Sequence, residues 1–408
     1  MKKNVLMIGR GSKLCKEIMR YNQNYSIYII EEPDILKKMK SIQVDNIVEI
    51  RTARYHQSND YLKVVQEWAK FIKFDLVIPA FEYSVYPANE AAKLLSLPRI
   101  GDIGAQIFTN KIRFREFCRA NNIPHPRFGK IETKSDLEHF FKGKPIIFKP
   151  ANRHASLGVV KINNINEISK AFDFTTSADE NLLVPERQLK WEYIAEDMIY
   201  GDEYSVEIFV NNGEIQFFNI TEKQKFNNGY FVESGHKVPA NLDKNIKLAI
   251  QKHMKNIVKS AQIETSVLHA EWIIQNNREW IIECAGRIPG DRIPDLISHA
   301  YGFNFKEYYL EMLSGKTMTI NRSPLRHAAI RYFEAPEGIL EKVNGIEILD
   351  NPDSNVILWE IGKSPGDFIS QVKCSWDRIG FFITYGDCEE ILNQRINSVL
   401  NNISFDVR

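Results

Sequence analysis

Glu271 and Glu283 are the residues whose setting points most directly to chemistry. Each sits in a run rich in β-branched and aromatic residues, Val267–Ile274 and Glu279–Ala285. The segment Gln275-Asn276-Asn277-Arg278 separates the two runs, and the pattern reads as a β-hairpin. Register decides whether the acids can cooperate, because a slip of one residue sends a side chain to the other face. A two-residue turn at Asn276-Asn277 sets Glu271 opposite Ile282 and parts the acids. A three-residue loop over Asn276, Asn277 and Arg278 sets Glu271 opposite Glu283, with His269 and Ala285 beside them. Asparagine tolerates the left-handed backbone that such a loop needs, and this second register is the expectation. Two adjacent carboxylates repel unless a cation lies between them. Their oxygens, completed by the phosphates of a substrate, describe a magnesium site. Two solvated glutamates on an ordinary hairpin are the plain alternative.

Other residues suit an anionic ligand. Lys149 is the only charge in the apolar strand Pro145–Lys149, and a buried lysine needs an anion partner, for which phosphate is favoured. The following loop, Ala151 to Gly158, is small and polar, and its amides can bend around phosphate oxygens. It is no Walker loop, since no GKS/T sequence opens a helix. Lys111 begins a basic helical stretch, Thr109–Asn121, capped by Thr109 or Asn110. Glu196 and Glu203 flank a tight turn, Gly201-Asp202, between two strands within Trp191–Val210. Glu82 follows the strand Asp75–Pro79, at the carboxyl end where open α/β sheets bind ligands. A solvated loop acid is the equal alternative there.

The elements behind these residues begin with a βαβ unit. A strand, Asn4–Gly9, runs into Gly9-Arg10-Gly11-Ser12, a helix Lys13–Tyr21, and a strand Tyr25–Ile30 ending in Glu31-Glu32. This matches part of a dinucleotide-binding fingerprint, but Leu14 replaces the third glycine. A glycine turn serving another ligand, or none, is the stronger reading. Helix Ser58–Phe71, strand Asp75–Pro79 and helix Tyr86–Leu95 complete an open α/β domain. Beyond it the pattern becomes α+β: short strands, a helix Asp243–Gln262 leading into the hairpin, and a last region of short strands with glycine-proline turns.

Composition removes several function classes. Lys+Arg number 53 against 52 for Asp+Glu, so nothing electrostatic argues for nucleic acid or a membrane surface. No apolar run approaches the roughly 20 residues of a membrane span. The apolar part of the amino terminus is only Val5–Ile8 and reads as a strand, not an export signal, so a cytoplasmic location is expected. The five cysteines have no CxxC spacing, which argues against a zinc site or a disulfide framework.

The ordered set Lys111, Lys149, the loop to Gly158, Glu196, Glu203, Glu271, Glu283 and Arg287 resembles the ATP-grasp ligases over about residues 1 to 320. The resemblance implies an ATP-grasp fold: an N-terminal Rossmann-like open sheet domain (1–107), a central subdomain with the phosphate loop (108–188), and a C-terminal domain (189–408) that includes a lid at about 325–408. It implies that Lys111 and Lys149 contact nucleotide phosphates, under a loop containing Ser156 and Gly158. Glu196, Asp197 and Ile199 fall on the linker that reads adenine, Glu203 on the ribose acid, and Glu271 and Glu283 on the acids for Mg2+, for which Mn2+ can substitute. Where many members carry an asparagine ligand this sequence has Ala285.

The variant Glu283-Cys284-Ala285-Gly286-Arg287 is similar to the L-amino acid ligases, dipeptide synthetases of the bacilysin-synthetase type. Glu233-Ser234-Gly235-His236 resembles their substrate strand, and Arg287 falls on their catalytic arginine. The implied reaction passes ATP's terminal phosphoryl group to an amino acid carboxylate, after which a second amino acid's amine displaces phosphate. Arg287 and His236 are then the catalytic candidates, and Glu82, Glu233, His236, Arg287 and Asp291 the substrate residues. A surplus of acid from Glu82, Glu233 and Asp291 favours a basic first amino acid, arginine, as in the arginine-preferring ligase of rhizocticin biosynthesis. Asp291 paired with Arg287 or Arg292 is the alternative. Amino acids, as small-molecule substrates, are the expected partners, and a homodimer is compatible with the resemblance. Another ATP-grasp carboxylate–amine ligase, with a purine-pathway or peptidoglycan substrate, and a non-catalytic nucleotide-binding protein are the competing readings.

Overall fold

The computed structural model describes residues 2–21, 24–38, 46–154, 156–178, 183–316 and 318–408; Ala155 of the small-residue loop lies outside them. Strands β1 (Lys3–Ile8), β2 (Tyr25–Glu31), β3 (Ile47–Thr52) and β4 (Leu76–Pro79) form a parallel sheet in the order β3-β2-β1-β4. Parallel sheets are covered on both faces, which is why β1 and β2 are nearly continuous apolar runs. Val5 and Met7 pack into one core with Ile27 and Ile29, while Leu6 and Ile8 pack into another with Ile30.

The glycine turn after β1 does not address a dinucleotide. The carboxylate of Glu31 is fully buried and accepts the Arg10 amide at 2.7 Å and the Tyr55 hydroxyl at 2.9 Å. The acid that would meet a ribose is tied to the turn's own backbone. Gly9 has φ +81, and a Cβ there would stand 3.1 Å from the Tyr55 hydroxyl.

A small antiparallel sheet follows, in the order β5-β8-β6-β7: β5 (Phe128–Ile131), β6 (Ile146–Pro150), β7 (Val160–Ile162) and β8 (Tyr193–Asp197). Alternation along β6 divides its work. Ile146 and Phe148 enter the core beneath helices Lys134–Phe140 and Ile168–Ser177, while Ile147 and Lys149 face a cleft.

Eight antiparallel strands make the main sheet, in the order β13-β12-β9-β10-β11-β14-β18-β16. They are β9 (Asp202–Asn211), β10 (Glu214–Lys225), β11 (Glu233–Val238), β12 (Ser266–Gln275), β13 (Arg278–Ala285), β14 (His327–Tyr332), β16 (Val356–Ile361) and β18 (Gly380–Gly386). The turn at Gly201-Asp202 therefore does not close the expected hairpin: β8 and β9 belong to different sheets, and Met198 to Gly201 crosses between them. Gly201 is needed there, since any Cβ would collide with the Ile274 carbonyl. Helix Lys244–Ser260, capped by the Asp243 carboxylate, covers the back of the sheet. The last 80 or so residues extend the main sheet. Their strands β14, β18 and β16 continue the main sheet through β11, and β15 (Gly338–Asn344), β17 (Phe368–Ile369), β19 (Ser404–Val407) and helix Glu389–Asn402 pack beside them. Among the described residues no helix is long and apolar enough to cross a membrane.

Candidate active site

Glu271 does lie opposite Glu283, and His269 opposite Ala285. The route to that register is not the expected one. Gln275 pairs with Arg278 across a two-residue turn whose residues, Asn276 (φ 51) and Asn277 (φ 58), are both left-handed. This is the turn whose twist matches antiparallel strands. Counted straight back from it, Glu271 would face Ile282. Instead Trp272 pairs with Ile281 and Glu271 with Glu283, so Ile282 is bulged out of register and the acids come level. The Ile282 carbonyl accepts from Arg115 Nη2 at 2.6 Å, and the Ile281 amide donates to Pro124 at 2.9 Å. Asn277→Val should lower stability by about 1–2 kcal/mol, the cost of a branched residue in a left-handed turn. Thermal denaturation checks this, and an unchanged midpoint would refute the turn assignment.

Each acid has a lysine. Glu271 Oε1 is 2.9 Å from Lys223 Nζ, and Glu283 Oε1 is 2.9 Å from Lys111 Nζ. His269 Nδ1 lies 3.0 Å from Glu207, and its Nε2 3.6 Å from Glu271 Oε1. Glu207 is wholly buried and also accepts from Ser205, Asn219 and Thr221. Burial alone would raise the Glu271 carboxyl, but Lys223 and His269 outweigh it and hold the group well below the usual range. Two hard carboxylates side by side suit Mg2+. Among the described residues no group of three or more His, Cys, Asp or Glu is placed to hold an ion. The pair fits a cation whose remaining oxygens come from a ligand such as a phosphate chain.

The acids open onto a cleft of about 900 Å³ between the small and main sheets. Lys111, Lys149, Ser156, Glu196, Asp197, Ile199, Glu203, Glu271 and Glu283 all line it. Gly158 does not; with φ +66 its carbonyl accepts from Thr175 at 2.9 Å and fixes the base of the loop. Lys149 has a protein partner that the sequence argument missed, since its Nζ is 2.6 Å from Glu196 Oε2. Arg115, fully buried, brings Nε to 2.7 Å from the other Glu196 oxygen, a close ion contact without aligned hydrogen-bond geometry. Burial pushes the Glu196 carboxyl up, yet Arg115 and Lys149 prevail and hold it at about 2. Glu203 meets Lys225 at 2.6 Å, and Asp197 takes a forked contact from Arg127. Lys223, Arg153 and His154 also line the cleft and were not singled out from sequence. Burial, with Arg287 and Lys111 nearby, lowers His154 to about 3, so it is neutral.

Of the expected substrate residues only Glu233 lines that cleft. The others form a second group. Arg287 Nε donates to Glu82 Oε2 at 2.8 Å. Burial raises the Glu82 carboxyl against the pull of Arg287, and the fields of Glu283 and Lys111 reach it too, which sets it near the cleft. His236, cross-strand from Lys223, sets Nε2 3.0 Å from Asp291 Oδ2. Asp291 is paired with neither Arg287 nor Arg292. Arg378 grips it with both terminal nitrogens, Nη2 at 2.7 Å and Nη1 at 3.0 Å, and Arg292 turns instead to Glu17 and Asp295. Lys223 stands 3.1 Å from Glu233. Glu82, Glu233 and Asp291 thus each have a protein cation, with Lys223 shared between Glu233 and Glu271.

Comparison with known proteins finds two matching domains along the chain. Residues 142–295 match the ATP-grasp domain, and residues 331–408 match the L-amino acid ligase C-terminal domain 2. D-alanine–D-alanine ligases are the curated relatives. That of Polynucleobacter asymbioticus is 25% identical over 170 residues, 39% of this chain and 47% of that protein. That of Thermosipho africanus is 24% identical over 211 residues, 50% of this chain and 56% of that protein. The chain thus spans about half the length of these two relatives. An L-amino acid ligase from Bacillus licheniformis has the same fold, with TM-score 0.79 at 20% identity, covering 100% of this chain and 99% of that one. Phosphoribosylglycinamide synthetase from Anaerococcus prevotii follows at TM-score 0.71 and 16% identity, with 100% of both chains covered. The chain thus has the ATP-grasp fold, with residues 142–295 matching an ATP-grasp domain and residues 331–408 matching an L-amino acid ligase C-terminal domain.

Proposed function

We propose that the chain joins two L-amino acids into a dipeptide with ATP and Mg2+, through an acyl phosphate, releasing ADP and phosphate. The observation that carries this reading is that one short stretch serves both groups of residues. Glu283 belongs to the nucleotide cleft, Arg287 to Glu82, and Asp291 to His236, at steps of four residues. A carboxylate held at Arg287 would then lie next to the phosphate end of the nucleotide. The C-terminal domain shared with L-amino acid ligases supports amino acids as both substrates, as does the kinship with ligases that join two alanines.

Phosphoryl transfer is chiefly positioning and charge neutralisation. Lys111, Lys149 and Lys223 line the cleft to meet the phosphates. A divalent cation on Glu271 and Glu283, Mg2+ or Mn2+ in its place, would supply further neutralisation. Arg287 would hold the negative charge of the acyl phosphate and of the tetrahedral intermediate. Glu82 and Glu233 are the carboxylates that would receive the first substrate's ammonium group.

A basic first residue, arginine, is the narrower part of the proposal. What supports it is the convergence of Glu82, Glu233 and Asp291; what it requires is that one of them exchange its protein cation for the substrate's. Incubation with ATP, Mg2+ and amino acid pairs, followed by phosphate release and product mass, tests both parts. Phosphate release that requires amino acids, with a product of dipeptide mass, is expected. ATP hydrolysis indifferent to amino acids would refute the ligase reading. Leucine or alanine accepted first while arginine and lysine are ignored would refute the narrower part alone.

A further inference from the structure

Arg378 comes from the short segment before β18, far from the residues that carry the chemistry in sequence, yet it reaches them in space. Its side chain is 9% exposed. One face lies 3.8 Å from the centre of the Tyr332 ring, Nε donates to the Ser375 carbonyl at 3.0 Å, and both terminal nitrogens grip Asp291. A guanidinium fixed on three sides is a built element of the fold rather than a mobile surface charge. Asp291 is equally constrained. It and Arg292 both have left-handed backbones, φ 50 and φ 61, and its second partner is His236 of the substrate strand.

Each acid near Arg287 has a cation: Glu82 has Arg287, Glu233 shares Lys223 with Glu271, and Asp291 has Arg378 besides His236. Arg287 and Lys223 face the reacting carboxylate and the phosphates, so their charges are committed to the reaction. The Asp291–Arg378 pair is the one left to read a side chain. We propose that Arg378 sets the side-chain selectivity of the first-substrate site by neutralising Asp291, making it a specificity-determining residue supplied by the C-terminal domain. This rests on the dipeptide-ligase reading. Without Arg378, Asp291 keeps only His236, and without Asp291 the guanidinium keeps only the Ser375 carbonyl and the Tyr332 ring, so each loss changes the local charge and selects a substrate of opposite sign.

The test uses two variants that push in opposite directions. In Arg378→Met the freed carboxylate should raise the kcat/KM of arginine relative to leucine as first substrate. In Asp291→Asn the freed guanidinium should raise that of glutamate relative to leucine. Each ratio should move by about tenfold or more, the least that a hydrogen bond to a charged group is worth. The full-length proteins are assayed with one fixed second amino acid. A merely structural latch would depress all three first substrates alike, and equal losses in both variants would overturn the proposal. Should Arg378→Met fail to fold, the glutamate ratio in Asp291→Asn decides. If the unaltered protein turns over no amino acid, the ligase reading fails separately. Calorimetric binding of arginine, leucine and glutamate to the same variants then decides the selectivity claim, the same opposite shifts supporting it and unshifted ratios refuting it.

Discussion

Replacing Arg287 by methionine should lower kcat by about 10²–10³-fold, what loss of one donor to a developing oxyanion costs. The KM for ATP should change far less. The reasoning starts from how the guanidinium is held. Nε is committed to Glu82 and one terminal nitrogen to the carbonyl of Ile288, so the group is aimed by its own loop. Removing it also strands Glu82, a buried carboxyl that burial already raises and that Arg287 helps to keep ionised. Loss of the arginine therefore removes a positive charge at the reacting centre and favours the neutral form of its neighbour. Arg287→Lys keeps the charge but not the planar fork, so an intermediate loss is expected. Steady-state and single-turnover phosphate release separate the effects. A variant with unchanged kcat and a raised KM for ATP would reassign Arg287 to nucleotide binding.

How far the sequence leads depends on whether a feature is local. The apolar run of β1 into its glycine turn is visible because burial on both faces of a parallel sheet writes itself into consecutive residues. The acids of the hairpin are visible for the same reason, and so is the small-residue loop. What is hidden is whatever depends on a partner distant in sequence. Lys149 rightly called for an anion, but the protein supplies Glu196 from a neighbouring strand. Asp291 stands out in the sequence, but its guanidinium comes from Arg378, whose segment has no motif of its own. The bulge at Ile282 leaves no mark in the chain, since any residue can be skipped by a ladder. Loop length was therefore the wrong variable for register, although the acids ended level. Glu196 and Glu203 look like two sides of a hairpin because a crossing between sheets and a tight turn both use glycine.

Arg115 joins these hidden features, and Arg115→Met should cost about 3–5 kcal/mol, the range for breaking a buried ion pair from one side. The arginine is fully buried, in contact with Glu196 and donating to the Ile282 carbonyl. Methionine fills the volume but leaves a buried carboxylate with Lys149 alone and a bulge carbonyl with no donor. Burial raises Glu196 and its cations lower it more, to about 2, against 4.5 unperturbed. Its ionic stabilisation is therefore complete above the unperturbed value and is lost as pH falls towards about 2. The wild-type advantage over the variant should shrink across that acidic window and be constant above it. Glu196→Gln in the Arg115→Met background should recover part of the loss, because the stranded charge is gone. Activity should fall beyond what stability explains, since the bulge that Arg115 holds is what sets Glu283 level with Glu271. Thermal melts across pH, with kinetics well below the melting range, check both halves. A variant as stable as the parent, or one destabilised with full activity at low temperature, would detach the hairpin register from the buried arginine.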